Sequence, residues 1–410
     1  MLAGRRGRAY AIAARPGPEP LAAASRLRYP LAPVSELDPQ QLTFLGRYGF
    51  DAELLQRWRA DLAAGKLSKE TNAVTGDLLA PPPGTIQKLP PRDSKAYREL
   101  KALGAAAIAR GELGVVVLNG GMATRFGGVV KGVVPVLGPA RTFLGLSVED
   151  VLSAGQACGG RIKFYCMNSF ATDEATKRHF AEHADFGAAP GQIEHFTQFV
   201  SVRLTPDGDL FQTADGEISP YGPGHGDFAA AFRAAGLLAS FRAGGGKYLL
   251  VRNVDNLGAR VDPAVLGHHI QSGGEATVEV APKWPEDVGG SPFLYLGKTQ
   301  LIESVRYAPG FDPNIVDVFN TNTFTFTAAA LDRDFDLGWY YVEKKVDGQK
   351  AVQIEHLIGE MTAHQETSFL QVRRNGRDCR FLPVKTPDDL DAARDELREM
   401  FDGAPGDGDA

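Results

Sequence analysis

The 410-residue sequence lacks the features that disulfide-rich, membrane-spanning and nucleic-acid-binding proteins need. Its three cysteines form neither a CxxC pair nor an even set, so we expect no disulfide framework and no thiolate zinc site. The longest apolar runs, such as residues 115–118, are far shorter than the roughly 20 residues that span a bilayer. The formal net charge of -6 provides no basic field for gripping nucleic acid. We therefore predict a cytoplasmic protein that binds neither membranes nor nucleic acids.

The composition is that of a folded protein, with 43% hydrophobic and 23% charged residues. Only the start differs, because the first 35 residues contain six arginines and a single acidic residue among scattered prolines. This bias predicts a disordered or misannotated N-terminal extension. We divide the chain into that extension, a helical N-terminal segment, one main domain, and a C-terminal helix with a frayed tail: residues 1–45, 46–110, 111–390 and 391–410.

Beyond residue 110, short β-branched runs alternate with amphipathic helical patterns. The predicted strands cover residues 115–118, 162–167, 193–199, 248–254 and 276–281. The predicted helices cover residues 142–157, 172–183, 227–243 and 263–272, after two earlier ones at 51–67 and 93–110. Strands that alternate with helices of this length indicate βαβ crossovers. The sequence therefore predicts an α/β fold with a mainly parallel central sheet flanked by helices.

A glycine-rich loop, LNGGMATRFGG at residues 118–128, follows the first predicted strand of this pattern. Glycines let backbone N–H groups approach a nucleotide closely, and ligands of open α/β sheets bind at such strand ends. Lys131 and Arg125 can then neutralise phosphate oxygens. The loop matches neither the P-loop nor the GxGxxG pattern. On its own, such a loop is more often an ordinary turn.

Two further segments combine turn residues with polar side chains. In GPGHGD, Asp227 is a candidate N-cap that leaves His225 beside a helix N-terminus, although a simple turn with a solvated histidine fits as well. In NVDN, Asn253 and Asp255 share one face of a strand end, because side chains repeat every two residues. One carboxylate there can hold Mg²⁺. An Asx turn that closes the strand is the alternative.

Taken together, these segments resemble the UDP-glucose pyrophosphorylase family, the eukaryotic-type UTP:glucose-1-phosphate uridylyltransferases with their UDP-N-acetylhexosamine pyrophosphorylase relatives. The resemblance spans residues 113–390 and rests on LNGGMATRFG with KG, FTQ, GPGHGD, NVDNLGA, VEVAPK, FNTNTF, VDGQKAVQIE and RFLPVKT. It implies a Rossmann-like nucleotidyltransferase fold with residues 111–390 as the catalytic domain. The chain stops shortly after RFLPVKT, so we expect the C-terminal β-helix domain of those enzymes to be absent.

The resemblance also implies an activity and the residues that perform it. The family forms UDP-glucose and pyrophosphate from UTP and glucose 1-phosphate, with Mg²⁺ as cofactor. Gln198 is expected to read the uracil edge, and Asp255 to be the metal ligand. The expected catalytic residues are Lys131, Arg125 and Asp255. The expected nucleotide-binding residues are Leu118, Asn119, Gly120, Gly121, Gln198, Gly224 and Asn253. The expected substrate-binding residues are His225, Lys283, Asn320 and Asn322.

Two departures from the family pattern bear on activity. Ala123 replaces a usual glycine, so the loop backbone reaches a positive φ there less easily. Ala329 and Asp332 stand where the glucose enzymes place lysines, one of which is a phosphate ligand. Either another cation replaces that lysine or the activity is weakened. The candidate replacements are Lys344, Lys345 and Arg333.

Three other functions stay open from the sequence. A UDP-N-acetylglucosamine or broad-specificity UDP-sugar pyrophosphorylase fits the same motifs, because the loop stretch TRFG is nearer to the N-acetylhexosamine branch. A nucleotide-sugar-binding protein without turnover fits the missing lysine and Ala123. A glycosyltransferase with NVDN as its metal motif would need an acceptor site. Neither the preferred sugar nor the oligomeric state follows from the sequence.

Overall fold

Ten α-helices occur in the part of the chain that the structure, a computed structural model, describes. That part comprises residues 36–123, 126, 128–376 and 378–403. None of its helices is both long and apolar enough to cross a membrane. In chain order the helices are α1 (Pro39–Gly46), α2 (Ala52–Ala63), α3 (Lys95–Ala109), α4 (Phe143–Cys158), α5 (Asp173–Glu182), α6 (Phe228–Ala234), α7 (Leu237–Ala243), α8 (Pro263–Ser272), α9 (Met361–His364) and α10 (Pro387–Asp402).

Sixteen β-strands occur in the same residues. In chain order they are β1 (Ile86–Lys88), β2 (Leu113–Asn119), β3 (Met122–Ala123), β4 (Val129–Val130), β5 (Lys163–Asn168), β6 (Ile193–Thr197), β7 (Ser201–Val202), β8 (Pro220–Tyr221), β9 (Tyr248–Asn253), β10 (Ala276–Pro282), β11 (Ser291–Tyr295), β12 (Lys298–Ile302), β13 (Val318–Thr327), β14 (Tyr340–Val346), β15 (Gln349–Glu355) and β16 (Thr367–Gln371). The central sheet has the order β1-β16-β10-β13-β9-β2-β5-β6. Its neighbouring strands are parallel except at β13, so the predicted α/β fold with a mainly parallel sheet is confirmed.

Strand β2 shows why the middle of this sheet is apolar throughout. Every residue of β2 is buried. Val116 and Leu118 pack with Phe232 of α6 on one face, whereas Val115 and Val117 belong to the hydrophobic cluster on the other face. Each such side chain, when fully buried, contributes about 1.5–3 kcal/mol. A strand covered by helices on both faces therefore needs a continuous apolar run rather than an alternating one.

The sequence pattern did not indicate three strands of the central sheet, β1, β13 and β16, and β13 matters most for the site. Its first residue, Val318, pairs with Pro282 at the carboxyl end of β10, and its last, Thr327, pairs with Tyr248 at the amino end of β9. The register with β10 shifts near the start of β13, which is a β-bulge. The antiparallel direction therefore brings the FNTN stretch to the side of the sheet at which the parallel strands end. We call this side, formed by the carboxyl ends of the parallel strands, the sheet edge.

Most predicted helices and strands are confirmed, and the differences have local causes. The helix predicted over 227–243 is two helices, α6 and α7, because Gly236 between them has a left-handed backbone with φ 72°. The predicted extension over residues 1–45 is too long, because α1 lies inside it. The C-terminal helix begins at Pro387 rather than at residue 391. Residues 1–35 and the tail beyond residue 403 lie outside the described residues.

The N-terminal helices pack against the main domain through their own hydrophobic cluster. The N–H of Val200, two residues after Gln198, donates to the carbonyl oxygen of Tyr48, two residues beyond α1, at 3.1 Å. The predicted helical segment 46–110, which also contains β1, is therefore a packed part of the main domain. The buried residues of this N-terminal cluster are Leu37, Leu45, Leu55, Trp58, Leu62, Val200, Val202, Leu204, Tyr341, Val352 and Ile354.

Helix α8 carries a buried histidine that titrates abnormally. The ring nitrogens of His269 lie 2.9 Å from Thr277 Oγ1 and 3.1 Å from Thr327 Oγ1. Burial, followed by the nearby charge of His268, lowers the pKa of His269 from 6.5 to about 4. Between these two pH values the unfolded chain therefore binds more protons than the folded protein.

We predict that stability falls as the pH drops from about 6.5 to 4, by up to about 1.4 kcal/mol per pH unit from His269 alone. The variant His269→Gln keeps hydrogen-bonding atoms but does not titrate, so its free energy of unfolding should fall less steeply with pH. Urea denaturation at several pH values in this window measures both slopes. Equal slopes for the two proteins would contradict the prediction.

Candidate active site

The carboxyl ends of β2 and β5 are joined by side-chain amides. Asn119, the last residue of β2, is fully buried, and its Nδ2 donates to Asn168 Oδ1 and to Thr176 Oγ1, each at 2.9 Å. Leu118 before it lies in the hydrophobic core. Their backbone carbonyls are occupied as well, because Leu118 O accepts from the N–H of Val254 at 3.1 Å and Asn119 O accepts from Thr172 Oγ1 at 2.9 Å. These two predicted nucleotide-binding residues therefore anchor the loop that follows. The glycine loop begins directly after Asn119, so these bonds fix the position of its first residue.

The Gln198 carboxamide occupies a slot between two glycines. Gln198 follows β6, and its N–H donates to Asn168 O at 2.8 Å. A Cβ atom at Gly120 would lie 3.1 Å from both polar atoms of the carboxamide, and a Cβ atom at Gly222 would overlap its nitrogen. A side chain at either position would therefore displace the carboxamide from this slot. The side chain predicted to read the base thus lies beside the start of the predicted nucleotide loop.

The GPGHGD loop holds its histidine in one tautomer. His225 Nδ1 accepts the N–H of Ile358 at 3.0 Å, so in the neutral ring the proton is on Nε2 and that atom is a donor. Burial, followed by the charge of His356, lowers the pKa of His225 to about 4. Gly224 has φ 109°, and a Cβ atom there would collide with the carbonyl oxygen of His356. The loop therefore offers a neutral N–H donor rather than a solvated cation.

Asp227, at the end of this loop, occupies the N-cap position of α6 that the sequence suggested, but its side chain does not cap the helix. It makes no capping hydrogen bond with the described residues of α6. Instead, its Oδ2 accepts from the N–H of Phe199 at 3.1 Å, and its Oδ1 lies 2.6 Å from His356 Nε2. The capping bond is missing because partners distant in sequence compete for the carboxylate.

Two residues predicted to be catalytic meet at the same sheet edge. Lys131 opens a short 3₁₀ turn after β4, and Asp255 follows β9. The Lys131 Nζ lies 3.2 Å from Asp255 Oδ2, although 124 residues separate them. Their side chains are 12% and 22% exposed, so both remain accessible to a ligand. The structure thus joins the nucleotide loop to the NVDN stretch.

The donor set at Asp255 fits a magnesium ion that is shared with a substrate. Among the described residues, no group of three or more His, Cys, Asp or Glu side chains could hold a metal by itself. Mg²⁺ commonly takes one or two carboxylates from the protein and completes its shell with waters and phosphate oxygens. A single accessible carboxylate beside the predicted nucleotide loop meets that requirement.

The predicted substrate-binding asparagines lie in one hydrogen-bonded row. Asn322 Nδ2 donates to Asn253 Oδ1 at 2.8 Å, and the N–H of Asn322 donates to Asn320 Oδ1 at 2.9 Å. Asn322 has a left-handed backbone with φ 54° at the bulge of β13. Asn320 Nδ2 donates to Glu303 Oε1 at 2.9 Å. This row connects the NVDN and FNTN stretches across the sheet edge.

The sequence did not indicate Glu303, which shares this part of the site. Burial raises the pKa of its carboxyl group. Nothing in the stretch LIES marks it, so only its contact with Asn320 reveals it.

Lys283, which was predicted, follows β10, and its Nζ donates to Pro313 O at 2.6 Å. Burial lowers the pKa of Lys283.

A second lysine at the edge was also missed. The N–H of Val384 donates to Asp255 O at 2.9 Å, and Lys385 follows it with an exposed side chain. Its stretch, RFLPVKT, was recognised as a family match without a role for the lysine.

The third predicted catalytic residue, Arg125, lies outside the described residues. Among the described residues, Lys131 thus contacts the Asp255 side chain, and Lys385 lies one residue after a backbone partner of Asp255.

A family model described as UTP--glucose-1-phosphate uridylyltransferase matches residues 83–403. The chain belongs to this family. The enzyme of that name from Hordeum vulgare is 30% identical over 345 residues, which cover 80% of this chain and 67% of the relative. The one from Solanum tuberosum is 31% identical over 306 residues, which cover 71% and 63%. The chain thus spans about two thirds of the length of these relatives, and the resemblance drawn from the motifs is confirmed.

Solved structures share the fold. A uridine diphosphate N-acetylglucosamine pyrophosphorylase from Trypanosoma brucei matches with a TM-score of 0.71 and 21% identity, over 87% of this chain and 77% of that one. A mutant UDP-glucose pyrophosphorylase from Leishmania major matches with a TM-score of 0.66 and 21% identity, over 85% and 77%. At these identities the likeness concerns the fold alone, and the predicted nucleotidyltransferase fold is confirmed.

The two positions that lack family lysines lie on the other side of the sheet, where the parallel strands begin. Ala329 is in the 3₁₀ turn after β13, where the N–H of the preceding residue donates to Lys247 O at 2.7 Å, at the amino end of β9. Asp332 pairs there with Arg242. The absence of lysine at these positions therefore removes no cation from the edge that carries Asp255.

Two of the three cations considered as replacements pair with acidic residues. Arg333 pairs with Glu275 at 2.9 Å, and Lys344 lies 3.6 Å from Glu355. Lys345 is exposed on β14. In the part of the chain that the structure describes, none of the three contacts Lys131 or Asp255.

Asn256 fixes the position of the NVDN stretch by a side-chain clasp. Its side chain is 3% exposed, Nδ2 donates to Arg380 O at 3.1 Å, and Oδ1 accepts from the N–H of Leu382 at 2.9 Å. The Arg380 guanidinium in turn forms two hydrogen bonds of 2.6 Å with Glu279 of β10. The clasp thereby holds Asp255 beside the segment that carries Lys385.

We predict that Asn256→Ala lowers the free energy of unfolding by about 2 kcal/mol or more, because it leaves a backbone carbonyl and a backbone N–H unpaired. The protection of the Leu382 and Val384 amides against hydrogen exchange should fall with it. Asn314→Ala, at an exposed position in a turn, is the control and should change stability by less than about 0.5 kcal/mol. Equal effects of the two substitutions would show that the clasp does not hold this edge.

Proposed function

We propose that this chain is a magnesium-dependent uridylyltransferase that forms UDP-glucose and pyrophosphate from UTP and glucose 1-phosphate. The observation that carries the proposal is the meeting of Lys131 and Asp255 beside the nucleotide loop. A cation next to a carboxylate that can hold a hard metal is what a reaction between two phosphate groups needs. Relatives at 30% and 31% identity bear the name of this activity.

The chemistry calls for alignment rather than a strong base. A phosphate monoester is largely dianionic near neutral pH, because its second pKa is about 6. An oxygen of glucose 1-phosphate forms a bond to the α-phosphorus of UTP, the bond from that phosphorus to the bridging oxygen breaks, and pyrophosphate leaves with the electron pair. Catalysis then consists of holding the substrates in line and neutralising charge.

The charges at the sheet edge suit this task. We assign the neutralisation of the pyrophosphate to Lys131, whose Nζ exchanges Asp255 for phosphate oxygens, and to Lys385 at the same edge. Arg125 remains the expected third cation. Asp255 would hold Mg²⁺ together with phosphate oxygens, and the ion when bound supplies further neutralisation at the α-phosphate.

The neutral groups of the site bind and orient the two substrates. The Gln198 carboxamide hydrogen-bonds the uracil edge, while the backbone of the glycine loop approaches the nucleotide. The His225 Nε2–H donates to a substrate oxygen, because its other ring nitrogen is occupied by the Ile358 N–H. The sugar phosphate lies against Lys283, Asn320 and Asn322.

We also propose that the enzyme works in the cytoplasm on UTP and a hexose 1-phosphate. Its three cysteines are free, which is typical of a reducing compartment.

Purified protein should release pyrophosphate from UTP when Mg²⁺ and glucose 1-phosphate are present, and a coupled pyrophosphate assay measures this. We expect slower release with N-acetylglucosamine 1-phosphate and galactose 1-phosphate, because the curated relatives are named for glucose 1-phosphate. Rapid release only with N-acetylglucosamine 1-phosphate would change the sugar and keep the reaction class. Binding of UTP without release would indicate a binding protein, and consumption of UDP-glucose without pyrophosphate a glycosyltransferase.

Lys131→Met should lower turnover by about two orders of magnitude or more, because a cation at the developing charge is removed. It should change stability little, since the Lys131 side chain lies in an accessible ion pair rather than in the core. Lys247→Met is the matched control, because Lys247 pairs with Glu112 at 2.7 Å at the opposite sheet edge. Full activity of Lys131→Met in the pyrophosphate assay would refute the phosphate role.

A further inference from the structure

A buried arginine clamps the segment around the predicted substrate lysine. Arg374 lies three residues beyond β16, and its side chain is 8% exposed. Its Nη1 donates to Pro282 O at 2.8 Å and to Asp287 Oδ2, and its Nη2 donates to Asp287 Oδ1 at 3.2 Å. Asp287 Oδ2 also accepts from the N–H of Trp284 at 2.7 Å. Arg374 is thus tied, directly or through Asp287, to the residues on both sides of Lys283.

These bonds fix the two peptide groups that flank Lys283. The first group contains Pro282 O, which accepts from the guanidinium, and the N–H of Lys283, which donates to Asp317 O at 2.8 Å. The second group contains the N–H of Trp284, which the Asp287 carboxylate holds. Because peptide groups are planar, their orientations determine the direction in which the Lys283 side chain leaves the backbone. The clamp therefore sets the starting direction of that side chain.

The stretch beyond Lys283 depends on this clamp. In the part of the chain that the structure describes, residues 284–288 hydrogen-bond to another segment only through the Asp287 carboxylate and the guanidinium. The stretch is otherwise exposed, with Val288 at 85% and Trp284 at 44%. Loss of the arginine would therefore release the second peptide group, while the N–H of Lys283 stays bound to Asp317 O.

Aromatic rings shield the guanidinium from water. Its central carbon lies over the Trp284 ring, 3.6 Å from the centroid, and 5.1 and 5.3 Å from the ring centroids of Phe319 and Phe381. A cation over an aromatic face is attracted by the ring, and an ion pair is stronger where water is excluded. Trp284 thus contributes to the clamp twice, through its backbone N–H and through its ring.

The clamp also engages a carboxylate that could otherwise pair with Lys283. Burial lowers the pKa of Lys283, and three nearby carboxylates oppose this shift, those of Asp312, Asp317 and Asp287. The guanidinium takes both oxygens of Asp287, whereas Lys283 Nζ donates to the neutral carbonyl oxygen of Pro313. An ammonium group exchanges a neutral partner for a phosphate oxygen more easily than it leaves a carboxylate. The clamp therefore keeps Lys283 available to an anionic substrate.

We propose that Arg374 and Trp284 are positioning residues that set the affinity of this enzyme for the sugar 1-phosphate. The inference rests on the proposed function, in which Lys283 lies against the sugar phosphate. The two residues act through Lys283, by fixing its backbone and by engaging the Asp287 carboxylate. Their loss should weaken the binding of glucose 1-phosphate and leave the binding of UTP unchanged, because the groups assigned to the nucleotide lie on other segments.

The test compares Arg374→Met, Trp284→Ala and Trp284→Phe with the wild-type protein. Methionine removes all donors of the arginine, alanine removes the ring, and phenylalanine keeps an aromatic face. The readouts are the KM for glucose 1-phosphate at saturating UTP, the KM for UTP, and the Kd of each substrate by calorimetry. We expect the KM for glucose 1-phosphate to rise about tenfold or more in the first variant and about threefold or more in the second, and to stay within about twofold in the third. The KM for UTP should stay within about twofold in all three.

A second readout follows Lys283 directly and needs no turnover. Reductive methylation with isotope-labelled formaldehyde labels the lysines, and the NMR signal that is absent from Lys283→Arg is that of Lys283. Its titration should show a higher pKa in Arg374→Met than in the wild-type protein, because an unpaired Asp287 carboxylate favours the charged ammonium group. An arginine that only stabilised the fold would leave this titration unchanged.

Arg333→Met is the matched control. Arg333 also pairs with a carboxylate, that of Glu275 at 2.9 Å, donates to a carbonyl oxygen, that of His364 at 2.8 Å, and lies over an aromatic ring, that of Phe335. It lies on the side of the sheet where the parallel strands begin, because Glu275 precedes β10. This variant should leave both KM values and the Lys283 titration unchanged.

Three results would overturn the inference. They are a wild-type KM for glucose 1-phosphate in both Arg374→Met and Trp284→Ala, an equal rise of the KM for UTP or of the KM in the Arg333→Met control, and an unchanged Lys283 titration in Arg374→Met. If Arg374→Met does not fold, the two Trp284 variants decide. Failure of the wild-type protein to turn over UTP would overturn the proposed function instead, and the Kd of glucose 1-phosphate and the Lys283 titration would still decide the inference.

Discussion

Strand direction is the constraint on which the site depends. Strands β2, β5 and β9 are parallel, so their carboxyl ends deliver Asn119, Asn168 and Asp255 to one edge of the sheet. Strand β13 runs the other way, so it delivers its first residues there, including Asn320. Its last residues reach the opposite edge, together with Ala329. A parallel β13 would have reversed this, and the asparagine row would face away from the nucleotide loop.

Two ion pairs near the site differ in burial and in the number of hydrogen bonds that they share. Arg380 and Glu279 are 9% and 1% exposed and share two short hydrogen bonds, a geometry that offsets the desolvation of both charges. Removing either partner would leave the other charge buried and unpaired, so this pair stays intact. It holds the Arg380 backbone, which Asn256 contacts. Lys131 and Asp255 are more accessible and share one contact of 3.2 Å. Such a pair is weak in water and exchanges readily for a phosphate or a metal ion. The fixed pair lies behind the site, and the exchangeable pair lies within it.

The sequence predicted what local pattern encodes. The glycine loop, the apolar strand before it and helix α8 were found because each depends on neighbours in the chain. Strand β13 was missed because FNTNTFTFT reads as polar and aromatic alternation, and its strand character comes from pairing with β9 and β10. Glu303 and Lys385 were missed for a similar reason, since Glu303 contacts Asn320 and the residue before Lys385 contacts Asp255, each far away in sequence or in another segment. Asp227 occupies the predicted N-cap position, but its side chain does not cap the helix because a non-local partner, His356, competes for its carboxylate.

The N-terminal helices pack against the segment of Gln198, the residue that we propose reads the base. Tyr48 accepts the hydrogen bond of Val200 just beyond Gln198, and Trp58 packs on Trp339, which stacks on His356. The N-terminal cluster therefore supports the same two segments that Asp227 ties together. Its helices are short, and helices of that length gain most of their stability from packing rather than from their own hydrogen bonds. The N-terminal helices and the segment that follows Gln198 therefore stabilise each other, because each supplies part of the other's packing surface. Lys131 follows β4 of a two-stranded sheet, and Asp255 follows β9 of the central sheet, so both lie outside this cluster. In the proposed function, base recognition and phosphate chemistry thus rest on different parts of the same fold.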